Sequence, residues 1–255
     1  MKSYLEEFHN RKLFHFQDVV SLIGNENSAK DLLYNYKKQK LVCQVRRNLY
    51  AATDLTTKKC IASKFEIGSN ITPSAYISYH AALEYHGIAL QLFYSLYVSS
   101  EGRFNNFEFD GINYTYCESK IKPGVYTPNL DSLVKVTDIE QTVVDCIDRI
   151  DRAGGIEELI RSISLITYFN EEKLKLYIDR CAKAFLYQKT GFILSYFQQQ
   201  TKISDNFILH CKKNIGKGVR YLTIREESPI FFKEWNLCAP EDILSYLEKG
   251  GNEIV

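Results

Sequence analysis

Three aspartates spaced three residues apart are the clearest candidates for chemistry in this sequence. Asp145, Asp148 and Asp151 would follow one face of a helix, and carboxylate oxygens are ligands that Mg²⁺ prefers. Arg149 and Arg152 are interspersed with them, which is equally typical of a solvated helix face with local ion pairs. We favour the solvated face and keep a magnesium-dependent, nucleotide-binding enzyme as an alternative.

Other patterns for catalysis or cofactor binding are weak. The five histidines show no metal-binding spacing, and His80 and His86 would lie on opposed faces of a helix. Gly216-Lys217-Gly218 lacks the further glycine and the strand–helix context of a phosphate-binding loop. The closest two of the seven cysteines, Cys43 and Cys60, are 17 residues apart, so no C-x-x-C unit exists. We therefore predict no enzyme, no cofactor and no metal, and cysteines that stay reduced.

Positive charge is concentrated at the N-terminus. Residues 1–65 carry 12 Lys/Arg and 6 Asp/Glu, a net charge of +6, whereas the remaining 190 residues carry 20 and 25, a net charge of −5; the sum is the overall +1. A basic end on a mildly acidic body favours contact with a polyanion through that end. No apolar run approaches the roughly 20 residues that span a bilayer. The charged start is untypical of a secretory signal, so a cytoplasmic location without membrane contact is expected.

The elements predicted for residues 1–65 indicate how that charge would be presented. Three short amphipathic helices come first, and the second and third follow the i, i+3, i+4, i+7 spacing of apolar residues: Phe16, Val19, Val20 and Ile23, then Ala29, Leu32, Leu33 and Tyr36. Strands over 41–45 and 49–52 follow, joined by a tight turn at 46–48 in which Asn48 tolerates a left-handed backbone. Three helices and an arginine-bearing hairpin are the order of a winged helix-turn-helix.

In this fold the third helix enters the major groove, and the wing contacts the phosphate backbone or the minor groove. The predicted DNA-binding residues are the outward residues of that helix and the residues of the wing turn: Asn27, Ser28, Lys30, Tyr34, Lys37, Lys38, Arg46, Arg47 and Asn48. The alternative is a protein-docking module whose lysines form a solvated face.

The predicted fold class is α+β, a winged helix-turn-helix (1–65) followed by a larger α+β domain (70–255), with the boundary over 66–73. A helix over 76–86, a strand over 93–99 and a hairpin over 107–116 with an Asp110-Gly111 turn predict a small antiparallel sheet. Helices are then predicted around 139–150, 156–163, 174–181, 191–200 and 204–214, and from 240.

Three segments resemble the AbiEi-type antitoxins, described as transcriptional regulators of viral defence systems. They are Val45–Tyr50, Tyr76–Gly87 and Val136–Cys146, the last continuing through Asp148–Ile156. The chain departs from the family pattern at Asn48, where glycine is common, and at Gln141, where arginine is common. The resemblance implies that the winged helix binds inverted repeats in the promoter of its own operon. It also implies that the domain over 70–255 counters a cognate nucleotidyltransferase-type toxin.

The leading hypothesis is thus a DNA-binding autorepressor and antitoxin, with double-stranded DNA and the toxin as partners. A winged-helix transcription factor without a toxin partner is the first alternative. The magnesium-dependent enzyme that uses Asp145, Asp148 and Asp151 is the second.

Overall fold

The N-terminal helices and hairpin form as predicted because each buries one apolar stripe. A computed structural model describes residues 4–120, 122–223 and 229–248. Its first elements are α1 (Leu5–Arg11), β1 (Leu13–His15), α2 (Phe16–Ile23), α3 (Glu26–Lys38), β2 (Val42–Arg46) and β3 (Leu49–Ala52). Their shared core consists of Phe8, Phe14, Val19, Ala29, Leu33, Val42 and Tyr50. At its centre the rings of Phe8 and Phe14 stack, with centroids 4.4 Å apart.

A three-stranded antiparallel sheet closes this winged-helix domain. Its order is β1-β3-β2, and Ala51 of β3 lies opposite Leu13 on one side and Cys43 on the other. The strand β1 was not predicted, because three residues show no measurable alternation and become a strand only by pairing with β3. The domain is winged-helix-like, as expected from the order of its elements.

The turn between α2 and α3 is short. Gly24 ends α2 with a φ of 82°, a left-handed conformation that glycine adopts readily at the end of a helix. The Asn25 side chain then accepts a hydrogen bond from the Ser28 amide at 3.0 Å and caps α3, which begins at Glu26. Asn27 and Ser28 therefore lie in the first turn of α3.

Two compact units divide the chain. Unit 1 comprises Met1–Ile77, Tyr94–Ile121 and Thr127–Lys135, and unit 2 comprises Ser78–Phe93, Lys122–Tyr126 and Val136–Val255. Residues 66–73, which were expected to separate two domains, lie within unit 1, and α4 (Lys64–Ser69) occupies part of them. Unit 1 thus contains more than the winged helix.

A second sheet completes unit 1. Its strands within unit 1 are β4 (Tyr76–Ile77), β5 (Ser95–Ser100), β6 (Phe107–Phe109) and β7 (Ile112–Glu118), in the order β6-β7-β5-β4. The predicted hairpin turn is confirmed, because Asp110 (φ 52°) and Gly111 (φ 77°) both adopt the positive φ of a type I′ turn. The sheet is mixed and not antiparallel, since β5 and β7 pair in parallel. The predicted helix over 76–86 is also wrong at its start, where Tyr76 and Ile77 form β4.

Unit 2 is mainly helical, as predicted. Its described elements are α5 (His80–Tyr85), β8 (Val125–Tyr126), β9 (Val136–Thr137), α6 (Ile139–Asp148), a 3₁₀ turn (Ile150–Ala153), α7 (Ile156–Ser164), α8 (Glu171–Cys181), α9 (Ala184–Ser195), α10 (Gln198–Thr201), α11 (Asp205–Lys213), β10 (Arg220–Tyr221), β11 (Ile230–Phe232), a 3₁₀ turn (Lys233–Trp235), β12 (Leu237–Ala239) and α12 (Ser245–Glu248). The sheet β10-β12-β11 was not predicted, and the last helix begins at Ser245 and not at residue 240. Within the described ranges, none of the helices combines the length and apolar composition that crossing a membrane requires.

The single tryptophan of the chain packs tightly in unit 2. Trp235 is 2% exposed, and a Cβ added at Gly191 of α9 would overlap its indole ring. The Gln188 side chain donates a hydrogen bond to the Trp235 carbonyl oxygen at 3.0 Å. Glycine at position 191 therefore allows α9 to approach the indole closely.

A buried glutamate, Glu158, holds the segment after α5. The His80 Nε2 atom lies 3.3 Å from Glu158 Oε1 of α7, and both side chains are at most 2% exposed. The Leu90 and Gln91 amides donate to the same oxygen at 2.8 and 3.1 Å. Burial acts to raise the pKa of Glu158, but these hydrogen bonds hold it below its usual value. One carboxylate thus satisfies three donors.

We predict that Glu158→Ala lowers the free energy of unfolding by about 3–5 kcal/mol, because it leaves a buried imidazole and two amides without their acceptor. Glu157→Ala is the matched control, since the neighbouring carboxylate is 43% exposed and pairs with Arg161 across one helical turn. Its effect should stay below about 1 kcal/mol. Urea unfolding followed by circular dichroism measures both, and equal losses would contradict the assignment.

Candidate nucleic-acid interface

The outward face of α3 carries polar and basic side chains. Residues three or four positions apart share a helix face, and the exposed members of this one are Asn27, Lys30, Tyr34 and Lys38. Ala29 and Leu33 are buried on the opposite face, so the apolar stripe fixes which side chains point outward. Tyr34 is 65% exposed, near the middle of the face. The helix therefore presents hydrogen-bonding groups and cations along its whole length.

Two lysines of α3 have neighbours on the protein surface. Lys30 Nζ lies 2.6 Å from Glu26 Oε1, in an exposed pair that contributes little to stability. Lys37 Nζ donates to Gln44 Oε1 at 2.9 Å and lies 6.0 Å from the centroid of the Tyr50 ring. Gln44 was missed by the sequence analysis. The signal available in the sequence was a polar residue between Cys43 and Val45 in a predicted strand, which indicates a side chain on the exposed face.

The wing turn consists of two exposed residues, Arg47 and Asn48. Arg46 pairs with Leu49 across the hairpin, which leaves only these two residues in the turn. Asn48 has a φ of 68°, the left-handed conformation expected from its type. Its carbonyl oxygen accepts a hydrogen bond from the Phe16 amide at 3.1 Å, which ties the turn to the first residue of α2.

Eight of the nine predicted DNA-binding residues are exposed: Asn27, Ser28, Lys30, Tyr34, Lys37, Lys38, Arg47 and Asn48. Arg46 is the exception, being half-buried, with its guanidinium carbon 5.1 Å from the centroid of the Phe107 ring and 5.6 Å from that of Phe104. Burial lowers the pKa of Arg46. The arginines of the wing therefore have different environments, although the sequence analysis assigned them one role.

The three aspartates of the alternative hypothesis face separate cations in unit 2. Asp145 Oδ1 lies 2.5 Å from Lys122 Nζ, and Asp148 Oδ2 lies 2.6 Å from Lys183 Nζ. Asp151 pairs with Arg149 at 2.7 Å in the 3₁₀ turn, because α6 has already ended at Asp148. Burial raises the pKa of Asp145. Among the described residues, no cluster of three or more His, Cys, Asp or Glu is arranged to hold a metal ion.

A buried lysine lies beside Asp148. Lys189 of α9 is 4% exposed, and its Nζ donates to the Asp148 carbonyl oxygen at 2.7 Å. Burial lowers the pKa of Lys189 to about 8, because a carbonyl replaces only part of the water that solvates a free ammonium. The charged form is therefore costly in the folded state.

Comparison with known proteins supports the fold alone. No protein-family model matches the sequence, and no curated protein is significantly similar to it. The structure is similar to the crystal structure of the RV2827C protein from Mycobacterium tuberculosis, with a TM-score of 0.68 and 10% sequence identity, over 96% of this chain and 92% of that chain. The two proteins share an α+β architecture over nearly their full lengths.

We predict that the stability contribution of Lys189 rises with pH. Between its folded pKa of about 8 and the unfolded value of about 10.4, the unfolded state binds more protons, so the free energy of unfolding increases with pH. Relative to that of Lys189→Met, the free energy of unfolding of the native protein should increase by roughly 2–3 kcal/mol between about pH 7.5 and 10.5. Urea unfolding of both proteins across this range measures the gain. Parallel pH profiles would show that Lys189 titrates normally.

Proposed function

We propose that this chain is an AbiEi-type autorepressor and antitoxin. Its winged helix would bind inverted repeats in the promoter of its own operon, and the rest of the chain would counter a cognate nucleotidyltransferase-type toxin. The observation that carries the DNA-binding part is the exposed polar and basic face of α3, next in sequence to an exposed Arg47-Asn48 wing turn. That combination suits a duplex, in which bases lie in a groove flanked by phosphates.

The roles of the interface residues follow from their chemistry and position. Asn27 and Ser28 lie in the first turn of α3, the part of a recognition helix that contacts base edges, and short polar side chains can donate and accept there. Lys37 and Lys38 lie in its last turn, where they would neutralise phosphates that flank the groove. Arg47 would contact a phosphate or enter the minor groove.

The antitoxin part rests on the resemblance of Tyr76–Gly87 and Val136–Ile156 to the family. Most of these residues are internal: every residue from Glu140 to Ile147 of α6 is buried. Their similarity therefore reflects a common interior, and residues that counter a toxin are to be sought on the exposed surface of 70–255.

We predict that the double variant Lys38→Ala/Arg47→Ala binds the operator about 30-fold more weakly near 0.15 M salt. Each substitution removes one phosphate contact together with the counterion release that this contact causes. The slope of log affinity against log salt should flatten by about two for each subunit bound. Fluorescence anisotropy with the promoter of the operon, over about 0.05–0.3 M salt, measures both quantities.

The matched control is Lys213→Ala with Lys217→Ala, which removes the same charge from exposed positions of unit 2. It should leave affinity and slope nearly unchanged. Equal effects of the two double variants would mean that binding depends on net charge alone and not on the winged helix. No binding by the native protein, even at low salt, would eliminate the DNA-binding proposal.

The toxin is tested by expressing the adjacent gene from an independent promoter. We expect growth arrest that the native chain relieves. We also expect relief by the Lys38→Ala/Arg47→Ala variant, because antitoxicity is assigned outside the winged helix. An adjacent product that is not nucleotidyltransferase-like, or that leaves growth unaffected, would favour a transcription factor without a toxin partner.

A further inference from the structure

We propose that Arg46 positions the wing for DNA binding by stacking on β6, and does not itself contact phosphate. This inference rests on the proposed DNA-binding function and reassigns one of its residues. Arg46 ends β2 and directly precedes the two-residue turn, so any displacement of its side chain is transmitted to Arg47 and Asn48.

The Arg46 side chain extends an aromatic stack that begins in the core of unit 1. Its guanidinium carbon lies 5.1 Å from the centroid of Phe107, whose ring stacks on that of Tyr114 at 4.8 Å and 9°. Tyr114 is a central residue of β7 and is 1% exposed. Phe104 supplies a second ring at 5.6 Å. A planar guanidinium suits this environment because it stacks on aromatic faces and is weakly hydrated.

The exposure of Arg46 distinguishes it from a phosphate ligand. Its Nη1 atom is buried, and no described residue forms a hydrogen bond with it. A phosphate contact through both amino groups would require that atom to be accessible. Burial also lowers the pKa of Arg46, consistent with a partly desolvated cation. Arg47, one residue further, is exposed and meets the requirement.

The wing turn thus has two attachments within unit 1. The Phe16 amide holds the Asn48 carbonyl oxygen at 3.1 Å, and Arg46 holds the end of β2 against Phe104 and Phe107. Directly before Arg46 the ladder is interrupted, since the pairing register of β2 shifts between Gln44 and Arg46. Such an irregularity allows a strand to bend. The stack on β6 prevents that bend and preorders Arg47, which lowers the cost of ordering on binding.

The test combines affinity with the salt slope, because the slope counts neutralised phosphates. Arg46→Ala should weaken operator binding about tenfold while the slope stays at the native value. Arg47→Ala should weaken binding and flatten the slope by about one. Phe107→Leu removes the aromatic face without altering charge and should reproduce the Arg46→Ala result. The double variant of Arg46 and Phe107 should be no worse than either single variant.

Circular dichroism and thermal melts show whether each variant is folded at the assay temperature. If Arg46→Ala is unfolded, the affinity and salt slope of Phe107→Leu alone decide the test. A slope flattened by about one in Arg46→Ala would show a direct phosphate contact and overturn the inference. Native affinity in Arg46→Ala, or in Phe107→Leu, beside a weakened Arg47→Ala would overturn the inference and leave the proposed function intact. Native affinity in Arg47→Ala and Lys38→Ala as well would overturn the proposed function itself.

Discussion

The arrangement of the winged helix depends on β3 being the middle strand of its sheet. All four residues of Leu49–Ala52 are buried, and β1 and β2 pair with the two edges of the strand. Pairing with β1 places the first residue of α2 beside the wing turn, and pairing with β2 returns the chain from α3. The outward faces of α3 and of the turn follow from these pairings. A change that separated β3 from either neighbour would displace both at once.

Local signals in the sequence were sufficient for local structure. The apolar spacing predicted α2 and α3, the left-handed tolerance of Asn48 predicted the wing turn, and Asp110-Gly111 predicted the hairpin of β6 and β7. Pairing between distant strands was not predictable in the same way. A turn motif fixes how β7 meets β6 but does not specify the other neighbour of β7, which is β5 in parallel. The mixed sheet is a property of the tertiary fold.

Side-chain partners distant in sequence limited the prediction of the site. Arg46 and Arg47 are identical in type and adjacent, and only the presence of Phe104 and Phe107, about 60 positions away, separates their environments. The aspartates show the same limit. Their spacing suggested one helix face, but α6 ends at Asp148 and Lys122 pairs with Asp145 from another segment of unit 2. The spacing of residues predicts a shared helix face only as long as the helix continues. It does not predict which lysine or arginine will pair with a carboxylate on that face.

The close packing of Gly191 against Trp235 has a practical consequence. Because the chain contains one tryptophan and its indole is 2% exposed, selectively excited tryptophan fluorescence comes from a single buried chromophore in unit 2. Its emission reports the integrity of the helical unit alone, whereas the 18 tyrosines are spread along the chain. Comparing tryptophan emission with a tyrosine-sensitive or far-ultraviolet signal therefore separates melting of unit 2 from melting of unit 1, without attaching any external dye.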